Sequence, residues 1–158
     1  RVRKSSGTGA GEMPGVAAIR YATATAQTFA DDTRAAVDFN IKTTDTHNAV
    51  TTGSSWKFTA PMTGKYVVKA VVGLAGSAWT AGDSMQIILT KNGSDVSLLS
   101  ILTAPVGHSQ SVTLSGSDDI DLVAGDYIQV IGLLSSSVSK SLQADATSNY
   151  VAISRLGS

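Results

Sequence analysis

Thr63-Gly64-Lys65-Tyr66-Val67-Val68-Lys69-Ala70-Val71-Val72 is the stretch whose reading decides the fold. In an extended chain Tyr66, Val68, Ala70 and Val72 share one face. Val67 and Val71 lie on the other, beside Lys65 and Lys69. The period of two predicts a strand. A second run, Tyr127-Ile128-Gln129-Val130-Ile131-Gly132-Leu133-Leu134, is also apolar on both sides. Outward residues of a solitary antiparallel sandwich should be polar. The pattern therefore predicts an obligate homo-oligomer in which another copy covers the second face.

The neighbouring segments extend the same reading. Val16 to Tyr21 predicts a first strand, and Thr23 to Ala36 a long loop with a turn at Asp31-Asp32. Val37, Phe39 and Ile41 alternate with polar residues, as do Trp56 and Phe58. Met85 to Lys91 and Val96 to Leu102 flank Asn92-Gly93. That dipeptide between apolar runs is a strong hairpin signal, because both turn positions need positive φ. Val112 and Leu114 predict a short strand, Ser115 to Asp119 a turn, and Ala124-Gly125-Asp126 a tight turn into Tyr127. Asn149 to Leu156 predicts the last strand. Eight to ten short strands without a convincing helix predict an all-β antiparallel sandwich or barrel.

Composition agrees and excludes several functions. The 158 residues are 15% charged, with 12 Lys plus Arg against 12 Asp plus Glu. Zero net charge argues against nucleic-acid binding, which needs excess positive charge to displace counterions. No apolar run has the roughly 20 residues of a membrane-spanning helix, and no membrane insertion is expected. There is no cysteine, so disulfides and thiolate chemistry are absent. Eleven Asp stand against one Glu, Glu12; Asp favours turns and Glu favours helices. Residues 1–15, with four glycines, Pro14 and no periodicity, read as a flexible linker or the end of an upstream stalk, and residues 16–158 as a single head domain. The start at Arg1 reads as the continuation of an upstream segment.

Phe58, Gly64 and Tyr66 sit in the register of the signature of the complement 1q/tumour necrosis factor (TNF)-like family: an aromatic, five residues, Gly, any residue, Tyr. Val68 stands where the family usually has Phe. "VAAIR" from Val16 resembles the family's opening strand, Leu89 to Gly93 its central hairpin, and Leu122 to Val130 its L-x-x-G-D-x-I-x-V stretch. The resemblance covers residues 16–157. It implies a jelly-roll sandwich of about ten strands, assembled as a homotrimer. The expected trimer interface falls on Tyr66, Val68, Ile128, Val130 and Tyr150.

Chemistry is sparse. His47 and His108 are the two histidines, and no nucleophile motif accompanies them, so no enzymatic activity is expected. Asp118, Asp119 and Asp121 form an acidic cluster whose oxygens suit calcium; no other cofactor is implied. Trp79, in a Gly/Ala-rich loop, reads as an exposed recognition residue, with Asp83 and His108 as further receptor-binding candidates. These observations predict a trimeric recognition knob at a fibre tip, extracellular on a virion. A bacteriophage tail fibre or tail needle, binding a glycan or protein receptor on the host cell, fits best. The alternatives are a secreted or spore-surface complement 1q-like ligand and a structural trimerisation cap.

Overall fold

The computed structural model describes residues 16–157, and the expected linker at 1–15 lies outside them. Thirteen strands are present among these residues, and no helix. They are β1 (Ala18–Ala22), β2 (Thr28–Phe29), β3 (Arg34–Ala36), β4 (Ile41–Asp45), β5 (Val50–Thr51), β6 (Lys57–Thr59) and β7 (Gly64–Leu74). After these come β8 (Ser84–Lys91), β9 (Ser94–Thr103), β10 (Val112–Leu122), β11 (Tyr127–Ser135), β12 (Lys140–Ser141) and β13 (Asn149–Arg155). One sheet has the order β10-β7-β13-β1-β4; the other runs β5-β6-β11-β8-β9, with β3 also on β11. A small ribbon joins β12 to β2. Every pairing between strands is antiparallel.

The alternation in β7 sets the core. Tyr66, Val68, Ala70 and Val72 are fully buried. Facing residues from the second sheet, Met85, Ile87 and Leu89 of β8 and Ile128, Val130 and Leu134 of β11, belong to the same cluster. Each such aliphatic side chain contributes about 1.5–3 kcal/mol by leaving water. Phe58 and Tyr66, two of the signature residues, pack edge to face at 5.6 Å, and the Tyr66 hydroxyl donates to the Met62 carbonyl at 2.6 Å. Trp56 meets Phe39 edge-on at 5.4 Å, and its indole N–H donates to the Phe39 carbonyl at 3.0 Å.

Several expectations change. The stretch Ser115 to Asp119 is no turn: β10 runs unbroken from Val112 to Leu122 in register with β7. Ladder pairing overrides the turn preference of Ser, Gly and Asp. Gly116 has a packing reason instead, because a Cβ there would lie 2.1 Å from the Leu99 carbonyl of β9. Val37 and Phe39 are buried outside any strand. The loop expected from Thr23 to Ala36 contains β2 and β3, separated by a turn with Asp32 at φ 49°.

The two apolar faces of β11 also resolve within one chain. Arg34 of β3 donates to Asp95 of β9 at 3.1 Å, reaching across β11 and β8 on the outward side. Beneath it Ile131 and Ile88 are only 9% and 6% exposed. The outward apolar residues left uncovered lie on β9, where Leu98 and Ile101 are each 52% exposed.

Candidate functional site

The sandwich has two unlike ends. At one, the β8–β9 hairpin, the β10–β11 turn and the C-terminal end of β13 meet. Asn92 and Gly93 take positive φ of 50° and 84°, as the hairpin requires. The Asn92 side chain donates to Asp126 at 2.8 Å and accepts from the Tyr127 amide at 2.9 Å, joining the two turns. Asp126 also accepts from the Val123 amide at 2.9 Å and pairs with Lys91 at 2.9 Å. Hydrogen bonds from Asn92, Val123 and Lys91 hold its carboxyl down at about 2. Arg155 donates from Nε and Nη2 to the Thr63 carbonyl at 3.1 and 2.9 Å.

At the other end the long connections β7–β8, β9–β10 and β11–β12 converge. Trp79 and His108 exchange backbone hydrogen bonds at 2.7 and 3.1 Å, and their rings stack at 5.8 Å. Lys140 is 1% exposed. Its ammonium lies 4.8 Å from the Trp79 ring centroid and donates to the Ala78 carbonyl. Asp83 accepts from the Thr80 amide and from the Ser136 hydroxyl, both at 2.8 Å. These two donors, with the nearby Lys140 charge, hold its carboxyl below the usual range against the opposing effect of burial. Asp31 accepts from the Ser136 amide at 2.9 Å.

Thus Trp79, Asp83 and His108 do come together, but not as an exposed contact surface. Trp79 is 3% exposed, so the expectation of a solvent-facing indole is corrected. The ring is gripped from two connections because a Gly/Ala-rich loop leaves room for the indole to fold inward. The buried Trp79 Nε1 has no hydrogen-bond partner among the described residues. What faces water is the rim the cluster supports: Val106, at the tip of the β9–β10 connection, is 65% exposed.

The expected interface residues also divide. Tyr66, Val68, Ile128 and Val130 are 0–1% exposed within one chain. They point between the sheets and are core residues; sequence parity alone could not say which of two apolar faces was the inner one. Tyr150 points outward from the five-stranded sheet. There it pairs with Val71, while Ala152 pairs with Lys69 and Ser154 with Val67. The Arg20 guanidinium lies 4.1 Å from the Tyr150 ring centroid. This outward face holds half-buried Val67, Val71, Tyr150 and Ala152, with exposed Arg20, Lys65, Lys69, Asp119 and Asp121 among them.

The expected calcium cluster is not assembled. Asp118, Asp119 and Asp121 lie on β10, so Asp118 faces away from the other two. Asp121 pairs with Lys65 at 3.2 Å. No group of three His, Cys, Asp or Glu able to hold a metal ion is present among the described residues.

Sequence reasoning missed Lys140 and Ser136. The available signal was that Lys140 is the one charge between Asp126 and Asp145, where a lone cation needs a partner if it folds inward. No helix among the described residues is long and apolar enough to cross a membrane.

No family model matches the sequence, and no curated protein matches it. The fold does match solved structures. Murine APRIL superposes with a TM-score of 0.65 at 12% identity, covering 90% of this chain and 100% of that one. Eiger TNF from S. frugiperda gives 0.64 at 15%, covering 90% and 93%. The globular domain of zebrafish complement 1qA gives 0.63 at 14%, covering 90% and 98%. The fold is the complement 1q/TNF-like jelly roll.

Proposed function

We propose that the chain is a homotrimeric, non-enzymatic recognition knob that binds a receptor outside the cell. The observation that carries the assembly is that one chain exposes two unlike apolar surfaces. One is the outward face around Val67, Val71 and Tyr150. The other is the β9 edge with Val96, Leu98 and Ile101, each about half exposed. Unlike surfaces favour a heterologous contact, which closes into a ring when the rotation allows. The family resemblance supports a ring of three.

The polarity of the sandwich supports a knob. Ala18 pairs with Ser154, so the chain enters at the tight-turn end, beside the C-terminal end of β13. A stalk joined there leaves the loops around Trp79 and Val106 at the far tip. Three copies of a modest site at one tip raise avidity without new contacts. Low charge, absent cysteine and the excess of Asp over Glu support a knob at the tip of a bacteriophage tail fibre or tail needle, facing a glycan or protein of the host surface.

Pull-down of labelled knob on panels of bacterial cells tests this. Saturable adsorption that Val106→Asp abolishes, with assembly intact, is expected. A trimer that adsorbs to no cell, yet whose deletion prevents fibre assembly, would establish the trimerisation cap instead. Trimers that engage an animal-cell or spore surface would favour the secreted complement 1q-like ligand.

A further inference from the structure

We propose that a pocket on the flank of the sandwich binds a neutral sugar ring. It is separate from the loop tip, and neither surface offered for assembly includes its residues. Thr25 and Gln27 of the β1–β2 connection, Asp38 of the β3–β4 connection and Ser54 of the β5–β6 turn line it. These connections run along the side where β4 and β5 are the sheet edges, opposite β9 and β10. The cavity holds about 250 Å³, below the usual range for drug-sized ligands and enough for one hexose ring.

The walls are fixed before any ligand arrives. Gln27 Nε2 donates to the Ala36 carbonyl at 2.8 Å, and its Oε1 accepts from the Asp38 amide at 3.0 Å. Asp38 Oδ1 accepts from the Gly53 amide at 2.7 Å. Asn40 Nδ2 donates to the Thr25 hydroxyl oxygen at 3.3 Å. Phe39 and Trp56, both fully buried and packed edge to face, anchor the connections behind them. Side chains held in this way lose little freedom on binding.

What these bonds leave over defines the ligand. Asp38 Oδ2 accepts no hydrogen bond among the described residues, and Asp38 makes no ion pair among them. Gln27 Nε2 keeps its second hydrogen and the Thr25 hydroxyl keeps its own. The Ser54 hydroxyl lines the same pocket. The site thus offers one charged acceptor beside several donors. A sugar hydroxyl donates and accepts at once, so adjacent hydroxyls of one ring satisfy both kinds. An organic cation would leave the Gln27 N–H facing it unpaired, which is costly once water is expelled. An acidic sugar would bring a second negative charge beside Asp38.

Titration of the isotope-labelled chain with methyl glycosides of glucose, galactose, mannose and N-acetylglucosamine tests the site, with amide shifts read by NMR. At least one should bind with a Kd of about 1 mM, in keeping with a small ligand in an open pocket, and should shift the Gly53 and Asp38 amides. Asp38→Asn keeps the acceptor for the Gly53 amide but turns the free oxygen into a donor; it should weaken binding by about tenfold or more. Ser54→Phe, at an exposed turn position, should fill the pocket and abolish binding. Both variants should keep the wild-type thermal transition in circular dichroism. Glucuronic and sialic acids should bind at least about tenfold more weakly than the best neutral glycoside. No shift at Gly53 or Asp38 with any neutral glycoside, or binding that both D38N and S54F leave unchanged, would overturn the proposal. So would acidic sugars that bind as well as neutral ones, or tighter binding of tetramethylammonium, which would assign the pocket to a cation. Because the readout is sugar binding in solution, a knob that adsorbs to no cell would remove the recognition reading without touching this result.

Discussion

The tight-turn end and the loop end of the sandwich are closed by different means. At the turn end, two tight turns are clasped by a few hydrogen bonds: Val123 to Asp126 within one, and Asn92 of the other across to Asp126 and Tyr127. At the loop end, residues 29–61 positions apart are gathered around one indole: Trp79, His108 and Lys140. The difference shows where a jelly roll can change. Short turns are fixed by the strands they join, whereas long connections need a buried centre of their own before they can present a surface.

If that contrast is right, removing the centre of the loop end should cost most. Trp79→Ala should destabilise the fold by about 3–5 kcal/mol, as for other buried aromatics, measured by urea denaturation. A change under 1 kcal/mol would show that the loops do not depend on the indole. At the turn end, Asn92→Ala removes two hydrogen bonds and places Ala at positive φ. It should cost about 1–2 kcal/mol; a loss as large as that of Trp79→Ala would erase the distinction.

The turn end should also respond to acid. The Asp126 carboxyl is depressed in the folded chain to about 2, so its stabilisation is fully present above the ordinary carboxylate value near 4 and is lost as pH falls toward 2. Asp126→Asn should flatten that part of the stability profile between pH 4 and 2; an unchanged profile contradicts the clasp. The smallest effect on stability belongs to Val106→Ser at the loop tip, within about 0.5 kcal/mol as for other exposed positions. The same substitution should nonetheless weaken cell adsorption, and unaltered adsorption would move the receptor site elsewhere.

Much of the turn end was legible in the sequence. Asn92-Gly93 and Gly125-Asp126 announce backbone geometry that few other residues accept, and Phe58, Gly64 and Tyr66 locate the strand that organises the core. The period of two in β7 showed a strand with apolar residues on both sides but not which side was inner, so Tyr66 and Val68 were assigned to an interface they do not reach. Local preference misread Ser115 to Asp119, where pairing with β7 decides the outcome. The loop-end cluster was illegible for another reason. Trp79, Asp83 and His108 stand out in the sequence, but the burial of Trp79 and Asp83 depends on Lys140 and Ser136, more than fifty positions away. No local pattern reports contacts at that range.

Sedimentation equilibrium of the chain at micromolar concentration tests the account's main claim most directly. The proposed closed ring of three copies predicts a single species of about three times the 16.2 kDa chain mass. A stable, soluble particle of 16.2 kDa would mean that both surfaces tolerate water and that the knob does not assemble through them.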